Sequence, residues 1–289
     1  MPELPEVEAL ATYLEGVAVG RVVAGIDVLN FSVLKTYDPP VTALAGRTVR
    51  QVTRHGKFLA VYCAGEPELL LVFHLARAGW LRWHAELPNT RPRSGKGPLA
   101  VRVRLSDAAG FDVTEAGTQK KVAAYVVTDI DQVPGVARLG IDPLAPEFTP
   151  AALGALLAGR RTQLKGVLRD QAMIAGIGNA YSDEILHAAR MSPFRVAADL
   201  TAEDVAHLHD AVRAVLAEAM TRTAGVAAGE LKREKKSGMA VHGRTGGACP
   251  VCGDTVREVS FADSALQYCP TCQTGGKVLA DRRLSKLLK

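Results

Sequence analysis

Apolar residues recur at helical spacing along the first sixteen positions: Leu4, Val7, Leu10, Ala11 and Leu14 fall on one face, and Gly16 suits a helix stop. After this helix the pattern shortens. Runs rich in β-branched and aromatic residues at 22–28, 49–53, 58–62, 69–74, 99–105 and 122–127, separated by Gly, Pro and Asp, predict a β-rich domain. In the run 101–105 the alternation places Arg102 and Arg104 opposite the core, on a solvated face. The stretch 88–98, with Arg91, Arg93, Lys96 and three prolines, reads as a basic loop, either phosphate-contacting or mobile. Between 134 and 150 four prolines and sparse apolar periodicity mark a linker. Helical periodicity then returns at 151–158, 163–171, 180–189 and 201–223. In the last segment Thr201 and Asp204 resemble a capping box, and Val205, Leu208, Val212, Val215, Leu216 and Ala219 form one core stripe.

The composition of the 289 residues, 48% hydrophobic and 22% charged, is that of a globular chain long enough for two domains. No apolar run reaches the length of a membrane span, and the acidic N-terminus lacks the basic region of a signal peptide, so a cytoplasmic protein without membrane contact is expected. The chain has 35 Lys+Arg against 30 Asp+Glu, of which 11 and 6 lie from Glu230 onward, leaving 24 of each sign before it. All of the formal excess therefore sits in the C-terminal fifth, the first place to look for a polyanionic partner.

Three local patterns carry chemistry. Cys249-Pro-Val-Cys252 and Cys269-Pro-Thr-Cys272, sixteen residues apart, have the spacing of a four-thiolate structural Zn²⁺ site on a hairpin, and without a secretion signal metal is favoured over disulfides. Cys63, the remaining cysteine, reads as a small buried hydrophobe. Gly176-Ile177-Gly178-Asn179, just before a helix, by itself favours a tight turn needing positive φ over the rarer turn that presents N–H groups to phosphate. At the start of the chain, a small second residue permits removal of Met1, which would leave Pro2 as a secondary amine beside the Glu3 carboxylate: a nucleophile next to an acid. The same residues also suit an ordinary first helical turn, where Pro and Glu are both favoured.

Taken together, these motifs resemble the formamidopyrimidine-DNA glycosylase/endonuclease VIII family over essentially the whole length. The opening Met-Pro-Glu-Leu-Pro-Glu-Val-Glu is similar to its formamidopyrimidine branch, and Arg54-His-Gly-Lys57-Phe-Leu to the strand turn that carries its active-site lysine. Residues 170–184 are similar to its helix-two-turns-helix segment, and 241–249 to the approach to its zinc finger. The resemblance implies an α+β protein with an N-terminal β-sandwich catalytic domain (1–135), a linker (136–148), a helix-two-turns-helix DNA-binding domain (149–240) and a zinc finger with a basic tail (241–289). It implies a monomer acting on damaged double-stranded DNA, at the nucleoid when bound, as a base-excision-repair glycosylase and abasic-site lyase. A damaged-DNA-binding protein of the same fold without the chemistry is the alternative.

By the same resemblance Pro2 is the Schiff-base nucleophile, Glu3 the acid/base group, Lys57 a phosphate contact and proton donor, and Asn179 a hold on the DNA backbone. Glu6 is expected to begin the helix or orient its neighbours. Cys249, Cys252, Cys269 and Cys272 bind one structural zinc. Three places depart from the family pattern. Arg77, in His74-Leu-Ala-Arg-Ala-Gly79, stands where a methionine fills the space left by the flipped base. Residues 114–121, ending in Lys120 and Lys121, replace the arginine- and phenylalanine-bearing loop that reads the opposite base, and Ser264 replaces the finger arginine. Arg77, Lys120 and Lys121 are accordingly the expected DNA contacts of the altered loops, with a relaxed preference for lesion and opposite base.

Overall fold

The computed structural model describes residues 1–280 other than 89, 91, 93–96, 118, 262 and 263. The basic-loop residues Arg91, Arg93 and Lys96 and the basic tail 281–289 lie outside the described residues. The chain divides into two compact units, Met1–Arg138 with Thr223–Leu231, and Leu139–Arg222 with Lys232–Lys289.

The first unit opens with α1 (Leu4–Ala18), whose face of Leu4, Val7, Leu10, Leu14 and Ala18 is wholly buried. The helix does not stop at Gly16 as its sequence predicts. Glycine in a helix costs about 1 kcal/mol relative to alanine, and burying Ala18 two residues later helps offset it; the break comes at Gly20, where φ is +84°. Among the described residues eight strands follow: β1 (Val23–Val28), β2 (Val49–His55), β3 (Phe58–Cys63), β4 (Leu69–His74), β5 (Gly79–His84), β6 (Leu99–Leu105), β7 (Gly110–Glu115) and β8 (Ala123–Val127). They form two four-stranded antiparallel sheets, ordered β1-β6-β7-β5 and β2-β3-β4-β8. Phe73 of one sheet meets Phe111 of the other edge to face, with centroids 6.2 Å apart, so the sheets share a core and the expected β-sandwich is present.

Two strands, β5 and β7, go beyond the sequence prediction, and they change the reading of the arginines. Arg102 is not solvated. It is buried opposite Asp112 in the β6–β7 register and makes a two-pronged ion pair of 2.7 and 2.8 Å, with His84 3.0 Å from the same carboxylate. Arg104 likewise pairs with Asp27 of β1 at 2.8 Å. An alternating polar position on a strand marks the face opposite the core, and here that face is lined by partners from neighbouring strands.

The second unit contains α2 (Pro150–Leu157), α3 (Leu164–Arg169), α4 (Asn179–Ala188) and α5 (Ala202–Thr223). The Thr201–Asp204 box is formed, with Asp204 N donating to Thr201 Oγ1 (3.2 Å) and Thr201 N to Asp204 Oδ2 (3.0 Å). A short charged helix, α6 (Leu231–Ser237), precedes the finger, whose antiparallel hairpin is β9 (Arg257–Ser260) and β10 (Ala265–Tyr268), followed by α7 (Pro270–Thr274). Among the described residues no helix is long and apolar enough to cross a membrane.

Candidate functional site

In the first unit Pro2 is buried and leads into Glu3, the N-cap of α1. Glu3 and Glu6 form a reciprocal capping box: the Glu3 side chain accepts the Glu6 N–H, and Glu3 N donates to Glu6 Oε2 at 2.8 Å. Both carboxylates are almost fully buried, at 2% and 0% exposure, so Glu6 fixes the orientation of Glu3. The helix is itself anchored to β2 by two of its carboxylates. Glu8 Oε2 accepts from Arg54 Nε at 2.6 Å, and Glu15 Oε2 accepts from Val52 N.

Arg54 leads into the turn that carries Lys57. His55 pairs with Phe58 across a two-residue hairpin, and Gly56, at φ +55°, takes its first central position, as a type II′ turn requires. Lys57, next in the chain, is buried at 8% exposure. Close to it lies His74, whose sequence offered only strand periodicity. His74 packs against Phe58 with ring centroids 4.7 Å apart and the planes tilted by 42°, and burial together with the Lys57 charge pushes its pKa down to about 4. The imidazole is therefore neutral at pH 7.

In the second unit the glycine turn adopts the conformation its sequence allows: Gly176 sits at φ +87° and Gly178 is the N-cap of α4. Asn179 donates through Nδ2 to Ala265 O at 2.8 Å, while its Oδ1 is buried with no hydrogen-bond partner among the described residues. Below the turn is a buried polar network. Asp183 accepts from Lys165 Nζ (2.6 Å), from Gln267 N (3.2 Å) and pairs with His242 Nδ1 (2.7 Å). Glu184 accepts three consecutive backbone N–H groups, from Ala240 (2.7 Å), Val241 (3.0 Å) and His242 (2.8 Å). Burial pushes its pKa up, and these three donors pull it back.

The four cysteines converge as their spacing predicts. Their sulfurs all lie within 4.8 Å of one another, with Cys249–Cys272 at 3.9 Å and Cys252–Cys269 at 3.3 Å. Thiolates about 2.3 Å from a tetrahedral Zn²⁺ stand roughly 3.8 Å apart, so the donor set fits one structural zinc. Gly253 (φ +78°) and Gly275 (φ +60°) give the backbone its reversals behind Cys252 and Cys272.

Comparison with known proteins accounts for this arrangement. Three sequence models match in order: the formamidopyrimidine-DNA glycosylase N-terminal domain over 1–121, the formamidopyrimidine-DNA glycosylase H2TH domain over 139–229, and the zinc finger found in FPG and IleRS over 246–275. The chain is 36% identical over 295 aligned positions to the formamidopyrimidine-DNA glycosylase of Symbiobacterium thermophilum, covering 98% of this chain and 93% of that protein. The chain belongs to the formamidopyrimidine-DNA glycosylase family. Among solved structures, MutM (Fpg) of Thermus thermophilus superposes with a TM-score of 0.79 at 30% identity, over 96% of this chain and 100% of that one. The Lactococcus lactis Fpg bound to DNA containing an oxidised pyrimidine gives 0.82 at 25% identity, over 94% and 100%.

Against that family the altered loops acquire a structure. Ala76 holds φ +51°, a left-handed conformation that alanine rarely adopts, and the exposed Arg77 follows it directly. Lys120 and Lys121 are exposed, and their loop is drawn in on itself. Buried Glu115 accepts from Lys121 N (2.7 Å) and Val122 N (3.1 Å), and Lys120 Nζ donates to Glu115 O at 2.6 Å. Ser264 lies at the end of the hairpin tip, where its carbonyl accepts from Phe261 N at 2.7 Å. The residues missed by sequence reasoning, His74, Asp183, Glu184 and His187, are half-buried or buried polar groups, and each lies in or beside a helix or strand that was read for its apolar positions alone.

Proposed function

We propose that this protein is a base-excision-repair enzyme that removes oxidised bases from double-stranded DNA and cleaves the resulting abasic site, using Pro2 as a Schiff-base nucleophile. The observation that carries the reading is the buried Pro2-Glu3 pair at the head of α1, with Glu3 held by Glu6. Removal of Met1 turns the Pro2 nitrogen from an amide into a secondary amine. That amine attacks C1′ of a nucleotide turned out of the helix. The bond from C1′ to the damaged base breaks, and the base leaves with a proton. The C1′–O4′ bond then breaks as the sugar ring opens and O4′ takes a proton, and the resulting Pro2 iminium acidifies C2′; loss of a C2′ proton expels the 3′ phosphate, a further elimination expels the 5′ phosphate, and water releases the amine. Glu3 serves as the acid/base group and Lys57, on its rigid turn, contacts phosphate and donates a proton. Asn179, the first residue of α4, holds the DNA backbone in the second unit by donating a side-chain amide N–H to phosphate.

Borohydride reduction of the protein on an abasic-site duplex should yield a covalent complex linked through Pro2. A form extended at the N-terminus, which blocks the amine, should give none; equal trapping by the extended form would refute the assignment. Glu3→Gln should slow base excision more than cleavage of a preformed abasic site, because expelling a base requires an acid and an open-chain aldehyde does not.

A further inference from the structure

Helix α4 holds the finger at three places. Asp183 reaches Gln267, two residues before Cys269, Glu184 clasps the backbone of 240–242, and His187, one turn after Asp183, reaches a zinc ligand itself. His187 is 5% exposed, and its Nε2 lies 3.3 Å from Cys249 Sγ. A cysteine bound to zinc is a thiolate and has no proton to give, so this contact can only be a hydrogen bond from the imidazole N–H to sulfur. Cys249 is itself 2% exposed and packs with Val241, Val256 and Cys269, so water does not compete for that sulfur.

We propose that His187 is a positioning residue of the zinc centre: its Nε2–H donates to the Cys249 thiolate, disperses part of the negative charge of the four sulfurs, and ties retention of the metal to helix α4. Four thiolates around one divalent ion carry a net charge of minus two, and in a buried site each donor to sulfur lowers the cost of holding them together. Partners of metal ligands typically change metal affinity by about 10–100-fold when removed. The link also runs toward the DNA-binding turn. The same helix begins at Asn179, whose Nδ2 is bonded to Ala265 at the start of β10, so the two ends of α4 are fastened to the same finger.

The test uses the full-length, zinc-loaded protein. Zinc transfer to a chromogenic pyridylazo chelator should be about 10–100-fold faster in His187→Phe, which keeps the ring but loses the donor. The ring has room, since His187 lines a cavity of about 150 Å³ with Tyr181, Glu184 and Arg222. His187→Gln, whose amide N–H falls near the position of Nε2, should restore most of the retention. In the cobalt-substituted protein the sulfur-to-metal charge-transfer band should move to lower energy in His187→Phe and not in His187→Gln, a change that altered packing alone would not reproduce. A readout on the unaltered protein guards against a variant that fails to fold. With NMR-active cadmium in place of zinc, the His187 Nε2–H proton should show scalar coupling to the metal through Cys249 Sγ. Absence of that coupling, or wild-type zinc retention in His187→Phe, would overturn the proposal.

Discussion

Replacing Asp183 with asparagine removes the negative charge that faces the buried Lys165 ammonium while keeping the shape of the side chain. Lys165 and Asp183 are 7% and 0% exposed at their side chains and 2.6 Å apart. Breaking a buried pair from one side costs about 3–5 kcal/mol, because the remaining charge is left without compensation. Here Lys165 Nζ keeps two neutral acceptors, Ser182 Oγ at 2.8 Å and Asn179 O at 3.1 Å, which places the loss at the lower end, roughly 3 kcal/mol. For a unit of this size each kcal/mol moves the melting temperature by about 2–4 °C, so a fall of roughly 6–12 °C is expected. The assay is calorimetry on the full-length zinc-loaded protein, following the transition that shifts on chelation of the metal. Lys165→Met in the Asp183→Asn background completes a double-mutant cycle and should recover at least about 1 kcal/mol relative to the sum of the single changes. A fall below about 2 °C, or a cycle additive within about 0.5 kcal/mol, would show that the pair does not stabilise this unit.

His74 gives a pH dependence of definite sign. Its folded pKa of about 4 lies below the 6.5 of the unfolded chain, so between these values the unfolded state binds the extra proton, and stability present above pH 6.5 is lost as the pH falls toward 4, by at most about 3 kcal/mol. Urea unfolding across that window should show a shallower slope in His74→Gln than in the wild type; parallel slopes would contradict the buried, neutral assignment. Arg77 bears on selectivity. A planar cation can stack on any base, whereas paired arginine contacts to one base are worth about 1–3 kcal/mol, so single-turnover excision of 8-oxoguanine should vary less than about tenfold with the opposite base. A strong preference for cytosine that persists in Arg77→Ala would refute this.

The features legible in the sequence are those whose cause is local. The apolar runs of β4 and β6 were placed to the residue, as continuous apolar runs or regular alternation allow, and the four cysteines declare their site by spacing alone. Strands β5 and β7 escaped because what makes them strands is distant. Gly79 begins β5 where a Cβ would meet the Leu75 carbonyl at 2.0 Å, and β7 buries Asp112 and Glu115, which alternation reads as loop. Their partners, Arg102 and the N–H groups of Lys121 and Val122, come from other segments. Helix α6 has five charged residues in seven and shows no apolar face to find. Pro2, Glu3 and Lys57 were visible as motifs, but His74 and His187 gain their character from groups elsewhere in the chain, Lys57 and Cys249. A single sequence shows the residue types there and not the meeting.

Neither unit is one unbroken stretch of chain, and this governs how the protein can be divided. After α5 the backbone returns to the first unit for the nine residues Thr223–Leu231, where Ala228 O accepts from the buried Trp80 indole N–H at 2.8 Å and Ala228 and Leu231 join the sandwich core. A gene truncated after Arg138 would therefore encode a sandwich with an unfilled seat: an indole donor without its acceptor, and core side chains facing water. The missing piece is short enough to be supplied as a separate peptide, so the sandwich is in effect a two-fragment complementation system. A cut that follows the matched domains, with 139–229 kept together, would carry most of that peptide off with the wrong half.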